Sequence, residues 1–166
     1  MIALILAETT NHVIGNKNDL PWYLSADLQR FRALTTGHTV IMGRNTYDAI
    51  LGRVGKALPN RRNIVVSRTL SNLEDGFELA GSLEVALRMS AGDAETYIIG
   101  GATLFQQSLD SNLVDKIFLT KIEANIEGDT FFEEPDPAAW MVTTQESHKA
   151  DEKNDYNYTF MCLEKK

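Results

Sequence analysis

The sequence predicts an α/β fold: a central, mainly parallel β-sheet of about eight strands with an antiparallel C-terminal strand, flanked by about four helices, in one domain over residues 1–166. Three observations carry this. Short, continuous apolar runs such as Ile2–Ala7 and Thr39–Met42 fit strands buried on both faces. Helix-like stretches alternate with those runs, as crossover connections between parallel strands require. The last third lacks a helical pattern and holds two long β-type segments, which suits a closing hairpin.

The elements follow in order. Ile2–Ala7 is the first strand. Asn11 and Gly15 mark turns around Val13-Ile14, and a polar loop, Asn16–Asp19, follows. Leu20-Pro21-Trp22 leads to Ser25, a residue able to accept from free N–H groups at a helix start. Leu24, Leu28, Phe31 and Thr35 then fall on one helical stripe, with Leu34 beside them and Gly37 as a C-cap. Thr39–Met42 is a strand that gives way at Gly43 to a short helix, Arg44–Ile50. Asn63–Val66 and Phe77–Leu79 are strands, and Ser82 is placed to cap the next helix. Thr96–Ile99 ends at Gly100-Gly101 and is followed by a helix from Ala102 to about Leu109. Lys116–Glu123, Trp140–Glu146 and Tyr156–Leu163 complete the set.

Composition narrows the function classes. At 43% apolar content the chain is ordinary for a globular protein, and no stretch approaches the length of a membrane span. The Ile2–Ala7 run is shorter than a signal h-region, and Cys162 is the lone cysteine, so a cytoplasmic setting is expected. His12, His38 and His148 lack paired ligand spacing, so no metal site is expected. A net charge of −7 argues against a nucleic-acid binder. The charge is uneven, however: residues 1–70 hold nine Lys/Arg against four Asp/Glu. Small anionic ligands would suit that half.

Asp27 stands out. At about 100° per residue it projects between Phe31 and Leu34, on the apolar side of its helix. A carboxylate there must be paired, protonated or in use, since burying a bare charge costs several kcal/mol. Two readings stand at this point: a first-turn acid complementing the macrodipole, or a functional group. Three strand ends look suited to anions. Gly43-Arg44-Asn45-Thr46 and Gly100-Gly101-Ala102-Thr103 each join a strand to a helix, and Ser67-Arg68 adds a hydroxyl and a cation at a third. None matches the Gly-x-Gly-x-x-Gly fingerprint, so the ordinary dinucleotide-binding fold is not supported.

Together these residues resemble the bacterial-type dihydrofolate reductases. The resemblance runs through Ile5 and Ala7, Val13-Ile14-Gly15, Leu20-Pro21-Trp22, and Asp27 with Leu28 and Phe31. It continues through Val40–Thr46, Leu58–Ile64, Ile98–Ala102, and Glu127–Thr130 with Phe132. It implies hydride transfer from NADPH to C6 of 7,8-dihydrofolate, with protonation of N5; a monomer is the default expected for this size, with no nucleic-acid or membrane partner. Asp27 would be the ionisable group of the pterin pocket, bonded by Thr120. Trp22 would help position water for the proton, and Leu20 would belong to a mobile loop over the site. Ile5, Ala7, Leu28, Phe31, Ile50 and Ile99 would wall the substrate. Arg61 would grip its glutamate α-carboxylate, with Arg32 as a second contact.

For NADPH, the resemblance places Ala7, Val13, Ile14, Gly15, Asn18, Asp19 and Leu20 on the nicotinamide side. Arg44, Ser67 and Arg68 would take the 2′-phosphate, and Asn45, Thr46, Gly101, Ala102 and Thr103 the pyrophosphate. Gly43, Ile99, Gly100, Leu104 and Phe105 complete the cofactor set. Gly100-Gly101 matches a cis peptide bond in the family, and Asp129 a residue that pairs with the mobile loop. Three departures are visible: Phe105 replaces a common tyrosine, Ser25 replaces a frequent proline, and Leu51–Ala57 is longer than in short members, which leaves open whether Arg53 or Lys56 meets substrate. Two other readings are a pyrimidine reductase of riboflavin synthesis, against which the Trp22–Asp27–Phe31 helix and Arg61 speak, and a non-catalytic nucleotide-binding module, which has no use for an acid on an apolar stripe.

Overall fold

The structure, a computed structural model, describes residues 1–166. Its elements in chain order are β1 (Ile2–Thr9), β2 (Val13–Gly15), α1 (Ser25–Thr35), β3 (Thr39–Gly43) and α2 (Arg44–Arg53). Then come β4 (Arg62–Val66), β5 (Phe77–Ala80), α3 (Leu83–Met89), β6 (Thr96–Ile98) and α4 (Ala102–Asp110). The chain closes with β7 (Lys116–Ile122), β8 (Thr130–Phe131), β9 (Trp140–His148) and β10 (Tyr158–Lys165). Eight strands form one sheet in the order β5-β4-β3-β6-β1-β7-β10-β9. The first six are parallel; β10 runs antiparallel to both β7 and β9. The expected mixed sheet and four helices are therefore present.

Period-two alternation sorts the strand side chains onto two faces. Leu4, Leu6, Ile41, Ile64 and Ile98 pack with Leu83 and Ala86 of α3 and Leu104 and Phe105 of α4. Ala3, Ile5, Val40, Met42 and Val65 pack on the other side with Tyr47 of α2 and Phe31 and Leu34 of α1. Each Val, Leu, Ile, Met or Phe among them, once enclosed, contributes about 1.5–3 kcal/mol. No helix is long and apolar enough to cross a membrane.

Three local expectations change. Ser25 does not cap α1. Leu24 occupies the cap position without a side-chain bond, and Ser25 is already helical. The free N–H groups go instead to a distant loop: Ala26 N donates to Asn154 Oδ1 at 2.9 Å, and Ser25 N to the Lys153 carbonyl at 3.0 Å. The Ser25 hydroxyl accepts from the Gln29 amide. Secondly, the turn region around Val13-Ile14 is a strand, paired with β8 in a separate ribbon. Gly128 makes that ribbon possible, because a Cβ there would collide with the Val13 side chain and lie 2.7 Å from the Gly15 carbonyl oxygen. Helix α2 also runs three residues beyond Ile50, to Arg53. By contrast, Ser82 caps α3 as expected, accepting from Val85 N.

Candidate active site

The sheet dictates where a cleft opens. β3 and β6 are parallel neighbours, yet α2 after β3 packs on one face and α4 after β6 on the other. Adjacent strands whose helices depart in opposite directions leave a crevice at their carboxyl ends. Gly43 and Gly100 meet there, Gly43 N donating to the Gly100 carbonyl at 2.8 Å. The cleft has a volume of about 1460 Å³ and extends from α1 to the end of β4.

At one end stands Asp27. The apolar stripe of α1 faces the cleft as much as the core, which is why Leu28 stays 44% exposed although it belongs to that stripe. Ile5, Ala7, Leu28, Phe31, Ile50 and Ile99 all line this end. Thr120 is buried beneath them on β7 and donates its hydroxyl to Asp27 Oδ1 at 2.6 Å. Desolvation raises the Asp27 pKa above the ordinary carboxylate value, while the Thr120 bond and the Arg30 charge pull the other way. Farther out, Arg61 and Arg32 face the cleft, and neither forms an ion pair. The Arg61 fork is held by the Thr35 hydroxyl and the Pro59 carbonyl, both at 3.0 Å. Burial lowers its pKa, and the Arg32 charge adds to that. Two neighbouring cations without an acid between them can take a carboxylate.

The other end is built from backbone. The N-termini of α2 and α4, at Gly43 and Gly101, have no side-chain cap, and both open into the cleft. Their free N–H groups make a ready anion cradle. Arg44, Asn45 and Thr46 line it from α2, and Ala102, Thr103, Leu104 and Phe105 from α4. The Gly100–Gly101 peptide bond is cis. Gly100 has φ +124°, and a Cβ there would press on Thr46 Oγ1 at 3.2 Å, so glycine is required twice over. Ser67 and Arg68 lie on the same wall. Arg44 is held by Thr69 Oγ1 at 3.2 Å and sits 3.8 Å from Asp48.

Between the two ends Ile14, Gly15, Asn18, Asp19 and Leu20 pass over the opening. Asp129 Oδ2 accepts from Lys17 N at 3.0 Å, a bond that holds its carboxyl below the usual range. Arg53, on the last turn of α2, reaches across to the Asp19 carboxylate, so it is already engaged. That pairing is the main reason the Asp19 pKa is lowered.

Nearly every residue singled out from sequence lies on this cleft. Trp22 and Val13 do not: both are buried, packed with Leu24, Ile122 and Tyr158 behind the loop. Thr120 is also off the wall, yet it touches Asp27. Sequence reasoning missed Thr69 and Arg30, and left Arg53 open as a substrate contact where the fold pairs it with Asp19. Arg30 stands three residues from Asp27, a spacing that places both on one side of a helix and could have exposed it.

Comparison with known proteins agrees with this geometry. Residues 1–165 match the family model for dihydrofolate reductase. Over 166 residues the chain is 40% identical to the dihydrofolate reductase of Bacillus subtilis, covering 100% of this chain and 95% of that one. It is 43% identical over 164 residues to that of Haemophilus influenzae, covering 99% and 98%. A solved dihydrofolate reductase from Enterococcus faecalis, complexed with NADP(H) and RAB-propyl, superimposes with a TM-score of 0.90 at 31% identity, covering 99% of this chain and 96% of that one. The chain belongs to the dihydrofolate reductase family.

Proposed function

We propose that this chain catalyses the NADPH-dependent reduction of 7,8-dihydrofolate to 5,6,7,8-tetrahydrofolate. The observation that carries the reading is one desolvated carboxylate, Asp27, on an apolar wall that continues into a cationic, backbone-lined cradle. The cradle suits the cofactor: two uncapped helix N-termini for a pyrophosphate, and Arg44 and Arg68 with Ser67 for a further phosphate. When bound, NADPH supplies the hydride that reduces C6.

The chain's own residues do the remaining work. Asp27 has a free Oδ2 beside the Thr120-bound Oδ1, so it can accept from an amino group and an adjacent ring nitrogen together. That pair of hydrogen bonds fixes the heterocycle, and the nearby negative charge favours protonation at N5. Ile5, Leu28, Phe31, Ile50 and Ile99 exclude water from the ring faces. Arg61, with Arg32, takes the substrate's carboxylate tail. Leu20 and its loop close over the reacting rings, and Trp22 supports that loop from behind. We also infer a monomeric, cytoplasmic enzyme, because one chain completes the whole cleft and Cys162 is a buried free thiol.

Mixing the protein with NADPH and dihydrofolate should consume the reduced-nicotinamide absorbance. No decay at any pH would end this reading.

A further inference from the structure

Arg30 is an unusual presence on α1. Its guanidinium is half-buried and forms no ion pair. It lies 4.6 Å from the Phe160 ring centroid and 5.7 Å from that of Phe118. It donates to the Leu119 carbonyl at 3.1 Å, to the Met161 carbonyl at 3.0 Å, and to Thr120 Oγ1 at 3.3 Å. The first two bonds lock it onto β7 and β10. The third reaches the hydroxyl that touches Asp27.

A guanidinium has donors and no acceptor. Thr120 Oγ1 must therefore accept from Arg30, and its single proton is left for Asp27 Oδ1, 2.6 Å away. Oδ1 is thereby fixed as an acceptor, and the proton Asp27 gains on titration sits on Oδ2. We propose that Arg30 is a positioning residue of the reductase site: through Thr120 it sets the orientation of the Asp27 hydrogen bond and stabilises the ionised carboxylate. This rests on the reductase reading for its purpose, though not for its chemistry.

Other groups face the same region. Glu146 on β9, opposite Phe160, and Cys162 on β10 both act on the Arg30 charge. Tyr158 on β10 feels Asp27, Glu146 and Asp151, and His148 stacks on its ring at 5.1 Å. Glu146 is largely exposed and lies 2.8 Å from His148, so solvent screens its field. Among these groups Arg30 alone is joined to Asp27 through one hydroxyl.

The test is a carbon-13 NMR titration of the Asp27 carboxyl carbon in the free protein, assigned by its loss in Asp27→Asn. The pH profile of kcat/KM is recorded alongside. Arg30→Met should raise the protonation constant of Asp27 roughly threefold or more, because a nearby cation is lost. Arg30→Lys should return most of that change. The limb of the activity profile that reports Asp27 should move upward in step. Arg30→Gln serves equally if the methionine variant does not fold. An unmoved Asp27 midpoint in a folded neutral variant overturns the proposal, even if the wild type is fully active. Since the NMR readout needs no turnover, absent reductase activity would sink the functional reading separately.

Discussion

The two ends of the cleft solve opposite problems. At the Asp27 end one acid is set among apolar side chains, so desolvation works against its charge and the protein spends hydrogen bonds to steady it. At the Gly43–Gly100 end neither α2 nor α4 carries an acid in its first turn; positive charge comes from uncapped helix termini and from arginines that keep solvent contact. The first end suits the tuning of a proton, and the second suits phosphate charge.

This contrast predicts that damage at each end has a separate signature. The largest effect should come from Asp27→Asn, which keeps an acceptor for Thr120 but removes the charge. Turnover near pH 7 should fall by about two orders of magnitude or more, while NADPH affinity stays within about twofold. Equal loss of both would show that the ends are not separable. The same change bears on stability. Because the folded-state pKa of Asp27 is raised, the wild type loses stability as pH climbs from the unfolded value through the folded one. Asp27→Asn should therefore have its greatest melting-temperature advantage above that window and lose it in acid. An advantage that grows towards low pH would contradict the sign.

Next in size is Gly100→Ala. A side chain at φ +124°, pressed on Thr46, costs about 1–3 kcal/mol, and it should weaken NADPH roughly tenfold or more by isothermal titration. Unchanged NADPH affinity would remove this turn from the cradle. Arg68→Ala should then weaken NADPH by about tenfold with little effect on NADH, as loss of one charge-assisted contact would do. An unchanged preference between the two cofactors would discard its phosphate role. The smallest effect belongs to Arg53→Ala. Its exposed pairing with Asp19 is worth at most about 1 kcal/mol, so cofactor release in stopped flow should quicken by no more than about fivefold. A slower release would contradict the idea that this pair holds the loop across the cleft.

How far the sequence revealed this follows the same division. Local periodicity made the sheet, the α1 stripe and the glycine turns legible, because those signals lie within a few residues. The capping of α1 by Asn154 was not, since the partner sits 128 residues away and Ser25 offered a plausible local substitute. The β2–β8 ribbon, of three and two residues, is too short for alternation to show. Arg53 stood as a candidate substrate contact until the fold set Asp19 opposite it. Trp22 carried a motif, but only packing reveals that it stands behind the loop and not on the wall. Arg30 drew no notice because its partners come from two strands distant in sequence.

The most direct measurement is the pH dependence of hydride transfer, followed in single turnovers, for wild type and Asp27→Asn. The wild type should show a transition whose midpoint lies above the ordinary carboxylate range, and the variant should lack it. The same transition in both proteins, or a wild-type midpoint at an ordinary aspartate value, would contradict the account.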